Sequence, residues 1–383
     1  MRLLIAGGGT GGHIFPALAV ARSLQATPTS PELRWVGGHR GLEAAVVPGS
    51  GIPLRRLLLR SLRTVDLNVH ALLDPIRLVL SVPQAMALLI ARRPSAIFTT
   101  GGYVAIPVML AAAVLRIPVV MWDGNVVPGR SVRLTSRLAS AIAVTFGGTC
   151  STLGQRRPCF VTGTPIRDPG GVSWADARVE LGIPESDRLL LIFGGSQAVR
   201  RFNMAVEQAL PRLVSLAHVI HVTGEAGYEA AVAGRDALPP ELRSRYRPER
   251  FLAGEMDLAL AAADMVVGRA GSSTLSEVAA FGLPMVVVPY PHAAGHQRRN
   301  AEEMVHAGAA TLVEDEAFDA EALLAAAAIL ENPSERATMA AAARSLARPG
   351  AADAVAELVM AAAERRPFPD PARIDALSRG VAW

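Results

Sequence analysis

Three glycine-rich turns hold the residues of this 383-residue chain that are best suited to chemistry. Gly7-Gly8-Gly9-Thr10-Gly11-Gly12-His13 fits G-x-G-x-x-G, a spacing in which glycines let the backbone approach a pyrophosphate at the start of a helix. Gly194-Gly195-Ser196-Gln197 and Gly268-Arg269-Ala270-Gly271-Ser272-Ser273-Thr274-Leu275-Ser276-Glu277 follow apolar runs in the second half. Each turn directs backbone N–H groups and a positive helix end at its ligand, a setting suited to a diphosphate. A dinucleotide site also needs an acid at the end of the second strand. That strand ends Trp35-Val36-Gly37-Gly38-His39-Arg40, with none.

The charged residues narrow the chemistry further. All 38 cationic side chains are Arg, which excludes lysine Schiff bases and a Walker-A lysine. Residues 1–163 hold 17 Arg against five acids, a net of +12, and the remainder carries −8, so the first half is expected to meet something anionic. Nucleic acid is not the expected partner, because these Arg are interleaved with Leu and aromatics make up only 5% of the chain. No Asp-x-Asp occurs to bridge a diphosphate through a metal, so no metal or other cofactor is expected. Cys150 and Cys159 read as two separate thiols of a reducing cytosol.

These turns require strand–turn–helix units to position them. Strands are expected at Arg2–Ala6, Leu33–Val36, Ala96–Thr99, Val119–Trp122, Ala141–Thr145 and Cys159–Thr162, with a first helix over Pro16–Gln25. After the turn formers of Gly163–Gly171 the pattern restarts with Leu189–Phe193, His218–Thr223, Met265–Val267 and Met285–Pro289. The fold class is α/β: two Rossmann-like parallel-sheet domains, 1–163 and 164–349, facing a central cleft. A helix over 350–366 is expected to pack back on the first domain, followed by a mobile tail, 367–383. Neither a signal peptide nor a transmembrane helix is expected, since Arg or Pro interrupts each apolar stretch.

Gly8–Pro16, Gly101-Gly102-Tyr103-Val104, Gly163–Asp168, Gly194–Gln197, Gly271–Pro284 and His296-Gln297 before Asn300-Ala301 resemble, in order, the MurG family of peptidoglycan glycosyltransferases. The resemblance implies a glycosyltransferase-B architecture. It also implies inverting transfer of N-acetylglucosamine from UDP-N-acetylglucosamine to undecaprenyl-diphospho-N-acetylmuramoyl-pentapeptide. For the donor it points to Thr10, Gly11, Gly12, Arg167, Ser196, Gln197, Phe251, Leu252, Ser272, Thr274, Leu275, Glu277, His296 and Gln297, with Glu277 on the ribose and Phe251-Leu252 on the uracil. Core packing is the alternative for Phe251 and Leu252. Tyr103 and Asn125 fall to the acceptor.

A neutral imidazole suits proton removal from a sugar hydroxyl, so His13 is the candidate base, with Asp123 its rival and helix capping its alternative role. Where the family has His-Glu-Gln-Asn this chain has Trp122-Asp123-Gly124-Asn125, which leaves room for a relaxed acceptor pocket. Other UDP-sugar glycosyltransferases of this architecture, and sugar-nucleotide epimerases, remain alternatives. An undecaprenyl acceptor implies peripheral docking at the cytoplasmic face of the bacterial membrane. Residues 54–93 are expected to dock there, with Arg55, Arg56, Arg60, Arg63, Arg77, Arg92 and Arg93 meeting anionic headgroups against only Asp66 and Asp74.

Overall fold

The computed structural model describes all residues except 40, 60–68, 155–156, 167–170, 195–199, 253, 292–294 and 382–383, and only the backbone of 69–73. Arg60, Leu62, Arg63 and Asp66 of the basic segment therefore lie outside the described residues. The chain divides into two compact units, Met1–Asp168 with Arg348–Trp383, and Pro169–Ala347.

In the first unit, β1 (Arg2–Ala6), β2 (Glu32–Gly37), β3 (Leu54–Arg56), β4 (Ala96–Thr99), β5 (Val119–Asp123), β6 (Ala141–Val144) and β7 (Cys159–Val161) form one parallel sheet. Its order is β3-β2-β1-β4-β5-β6-β7. The second unit repeats that order with β8 (Leu189–Phe193), β9 (His218–Val222), β10 (Tyr246–Glu249), β11 (Met265–Gly268), β12 (Met285–Val287) and β13 (Ala310–Leu312), arranged β10-β9-β8-β11-β12-β13. Strands covered on both faces must be apolar throughout, and Leu189, Leu190, Leu191 and Ile192 are all fully buried. Order reverses beside β1 and beside β8, which is where open α/β sheets place their ligands.

The first helix runs Gly11–Ala26, starting five residues before the expected Pro16. Pro16 lies inside this helix, where its ring nitrogen has no hydrogen to give the Gly12 carbonyl one turn back, so the helix runs through it with that one bond missing. The C-terminal helix, Ala351–Glu364, buries Ala354, Val355, Leu358 and Val359 in the same core as Ile14, Leu18 and Trp35.

Most of the expected mobile tail is instead built into the first unit. Asp370 caps a helix over Pro371–Ser378, Ile374 is fully buried, the Phe368 ring stands 6.1 Å from that of Phe160, and Arg348 pairs with Asp375 at 2.7 Å. Nor are the cysteines separate thiols: Cys150 and Cys159 are disulfide-bonded, joining the Gly147–Leu153 helix to β7. A third correction concerns Asp74–Ala91, which is long and apolar enough by composition to cross a membrane despite Pro75, Arg77 and Pro83. One face of that segment, Ser81, Ala85 and Leu89, is nonetheless buried in the unit.

In the second unit, Arg178 is fully buried, paired with Asp264 at 2.5 Å and bonded to the carbonyls of Ala262, Pro184 and Asp187. In the sheet of the same unit, burial pushes the His221 imidazole down to about 3, with Nδ1 2.9 Å from the Tyr246 hydroxyl. Because the folded value lies below the unfolded one, the stability that neutral His221 confers is complete above about 6.5 and is lost as pH falls toward 3. His221→Phe should flatten the loss of stability between pH 6.5 and 4 by up to about 1.4 kcal/mol per pH unit, read from urea unfolding. An unchanged slope would show that His221 already titrates normally in the folded protein.

Candidate active site

In the first unit the turns after β1 and β4 meet where the strand order reverses. The Thr99 hydroxyl donates to Ala6 O at 2.7 Å and accepts from Gly101 N at 3.1 Å, which holds the two strand ends together. Gly101 and Gly102 take φ +83° and +75°, a region that favours glycine. This path brings Thr100 O to 2.8 Å from His13 Nδ1. A carbonyl can only accept, so Nδ1 carries the hydrogen and Nε2 keeps its lone pair. That nitrogen lies 4.0 Å from where a Cβ on Gly102 would stand.

Burial lowers the His13 pKa from its ordinary value, against the opposing pull of Asp123 and of the Thr100 bond. Near neutral pH the imidazole is therefore a neutral proton acceptor. Asp123, at the end of β5, is 4% exposed and accepts from Asn125 N at 3.1 Å, while Asn125 O accepts from Thr149 at 2.9 Å. The Tyr103 hydroxyl lies 3.8 Å from the Cβ position of Gly9. His13, Asp123, Asn125 and Tyr103 thus belong to one set of strand ends. Trp122 does not open a pocket there. It is buried in the core and donates from Nε1 to Gly163 O at 3.0 Å.

Thr10, Gly11 and Gly12, assigned to the donor from sequence, also lie in this first turn, where Thr10 O accepts from the N–H groups of His13 and Ile14. An unforeseen residue anchors them. Glu43, 1% exposed, accepts from Gly9 N and from Gly38 N, each at 2.9 Å. The only sequence signal for it was an acid placed among Gly37, Gly38 and Gly41.

In the second unit, the turn after β11 leads into the helix Ser272–Phe281, whose first turn has neither a side-chain cap nor an acidic residue. The hydroxyl of Ser273 is buried with no hydrogen-bond partner. Thr274 and Glu277 are half-buried on this helix. Leu275 is buried in the core, and its N–H donates to Gly271 O. Phe251 is 56% exposed and Leu252 half-buried, which removes the core reading for the ring.

Gln297 Oε1 accepts from Tyr290 N at 2.9 Å, leaving its amide hydrogens to donate beside His296, the first residue of the next helix. Arg167, Ser196 and Gln197 lie outside the described residues. Two side chains missed in the sequence brace the turn. Arg269, 5% exposed, pairs with Asp315 at 2.5 Å and lies over the rings of Phe202 and Tyr290, and buried Asn300 donates to Ala270 O at 3.2 Å. Among the described residues, no group of three or more His, Cys, Asp or Glu is placed to hold a metal ion.

The model of the glycosyltransferase family 28 N-terminal domain matches residues 3–144, and that of the family 28 C-terminal domain matches 189–358. The chain is 38% identical, over 95% of its length and 100% of the relative's, to the UDP-N-acetylglucosamine–N-acetylmuramyl-(pentapeptide) pyrophosphoryl-undecaprenol N-acetylglucosamine transferase of Moorella thermoacetica. The transferase of the same name from Anaeromyxobacter dehalogenans is 35% identical over 96% of this chain and 94% of its own. Among solved structures, Acinetobacter baumannii MurG superposes with a TM-score of 0.74 at 27% identity, covering 94% of this chain and 99% of that one. A putative UDP-N-acetylglucosamine 2-epimerase from Listeria monocytogenes, at 15% identity and a TM-score of 0.70 over 96% and 98% of the two chains, shares the fold.

The His13 surroundings make a direct prediction. Followed by NMR in histidine-labelled protein, the His13 ring should titrate below 6.5, and Asp123→Asn should move the midpoint lower still by removing the charge that favours the imidazolium. A midpoint that stays put in the variant would show that Asp123 does not act on this ring.

Proposed function

The chain belongs to glycosyltransferase family 28, and from that premise we propose that it transfers N-acetylglucosamine from UDP-N-acetylglucosamine to the C4 hydroxyl of undecaprenyl-diphospho-N-acetylmuramoyl-pentapeptide, releasing UDP. The product is the lipid-linked disaccharide precursor of peptidoglycan. One observation carries this reading: likeness to curated transferases of that name, such as the 38% identical one, runs through both units rather than through the shared fold alone.

The chemistry of this reading assigns roles to the two sets of strand ends. As the acceptor oxygen bonds to the anomeric carbon, its proton passes to His13 Nε2 and the bond from that carbon to the UDP oxygen breaks, so one displacement inverts the centre. Asp123 favours the imidazolium that forms, and it remains the rival base. The N-terminus of the Ser272–Phe281 helix meets the charge on the departing diphosphate, aided by the Ser273 hydroxyl. Glu277 takes the ribose hydroxyls, exposed Phe251 the uracil, and the Gln297 amide a sugar hydroxyl. Tyr103 and Asn125 contact the acceptor.

His13→Ala should lower turnover by about 10²–10⁴-fold with UDP binding intact. Unchanged turnover would transfer the base role to Asp123. Glu277→Ala should weaken UDP binding by about 1.5–3 kcal/mol in calorimetry, the worth of hydrogen bonds to a charged group. Intact UDP binding with a lowered melting temperature would make that carboxylate structural.

An acceptor that cannot leave the bilayer requires the enzyme to come to it, and we place the protein peripherally on the cytoplasmic face of the membrane. In the helix Val69–Ala91, Ile76, Val79, Leu80 and Ile90 are more than half exposed on one face, opposite buried Ser81, Ala85 and Leu89. Exposed Arg55, Arg56 and Arg92 accompany them, each contributing about 1 kcal/mol near an anionic surface. Sedimentation with phosphatidylglycerol vesicles should show binding that falls as salt rises. Val79→Ser combined with Leu80→Ser should abolish it while sparing UDP binding, and equal binding to neutral vesicles would overturn the docking proposal.

A further inference from the structure

Glu43 is the most enclosed carboxylate among the described residues of the first unit, at 1% exposure. Its two oxygens divide their bonds between two glycine turns, Oε2 accepting from Gly9 N and Oε1 from Gly38 N. Glycines line its sides as well. A Cβ on Gly8 would stand 2.5 Å from Oε1, one on Gly37 2.7 Å from its Cγ, and one on Gly41 2.1 Å from Oε2. None of these distances is one that real Cβ atoms show, so the glycines are moulded to this side chain. The N–H of Gly9, which in a dinucleotide fold would face a pyrophosphate, is thus already bonded to the protein's own anion.

We propose that Glu43 is a positioning residue for His13: it occupies the anion seat of the first glycine turn and thereby fixes the backbone from which the histidine projects. The path is short. Gly9, held at φ +98°, precedes Thr10, whose carbonyl accepts the N–H of His13 and starts the helix. If the turn shifts, the ring moves relative to Thr100 O, the bond that leaves Nε2 as the lone pair. A misplacement of about 1 Å at such a group can cost about 10²-fold in rate. The inference rests on the reading of His13 as the base, and its test separates the two.

Two variants probe the contact from opposite ends. Glu43→Gln keeps the shape but presents an NH₂ to one of the two N–H groups. Gly41→Ala leaves the carboxylate in place and pushes it from outside the first turn. Each would be assayed for kcat and donor KM with a short-chain, water-soluble acceptor, for UDP binding by calorimetry, and for melting temperature. Each would also be combined with His13→Ala. Both variants should lower kcat by at least about tenfold while donor KM and UDP Kd hold within about twofold, and neither should lower kcat further once His13 is Ala. Gly41→Ala carries the test if Glu43→Gln fails to fold. Unchanged kcat in the folded variants, or a loss that multiplies with that of His13→Ala, would overturn the proposal. If His13→Ala itself leaves kcat unchanged, it is the reading of the base that has failed.

Discussion

The hydrogen bond from His13 Nδ1 to Thr100 O depends on more of the first unit than its single 2.8 Å contact suggests. It joins the turn after β1 to the turn after β4, the two neighbours at which strand order reverses. It fixes the tautomer, and with it the direction from which a proton can be taken. The acceptor carbonyl is available only because Gly101 and Gly102 adopt a backbone that places it there. Thr99, bridging to Ala6, keeps the strand ends in step. Beneath them, Trp35 donates from Nε1 to Gly7 O at 2.8 Å, so the glycine turn is supported from the core as well as by Glu43.

The two units use one strand order for two kinds of chemistry. At the first reversal the side chains of His13, Asp123 and Tyr103 gather, and Glu43 already accepts the Gly9 N–H of the turn. At the second reversal the helix end has no side-chain cap, and Arg269 is held by Asp315 and two aromatic rings. A buried cation so completely bonded costs little more to keep, whereas removal of one partner would strand the other charge. The same fold thus presents a buried imidazole at one place and a helix N-terminus without a side-chain cap at the other, with the difference lying in what fills each turn.

Much of this was legible because buried parallel strands must be apolar throughout, and runs such as Leu189–Phe193 announce themselves. The strands that escaped notice are edges. Leu54-Arg55-Arg56, Tyr246-Arg247-Pro248-Glu249 and Ala310-Thr311-Leu312 each pair on one side only, and in the first two charges or Pro guard the edge against further pairing. His13 was readable from its place after the glycines, whereas its partner was a main-chain oxygen 87 positions away, which no side-chain pattern can reveal. Glu43 was hidden for a related reason: an acid two residues beyond Gly41 reads as surface until the fold closes over it. Trp122 looked like a changed binding residue but is held by Gly163 O, and the tail looked mobile because the pairing of Arg348 with Asp375 is a long-range fact.

The first unit is built from both ends of the chain, with the whole of the second unit spliced between Asp168 and Arg348. The Ala351–Glu364 helix and Ile374, which complete the first core, therefore emerge from the ribosome after the whole of the second unit. At about 5–20 residues per second, the interval between synthesis of β7 and synthesis of that helix is roughly 10–40 s, during which Leu18, Trp35 and Phe98 are left incompletely covered. The second unit, continuous in sequence, can close first. A nascent chain stalled within the second unit would therefore present chaperones with an open apolar face of the first.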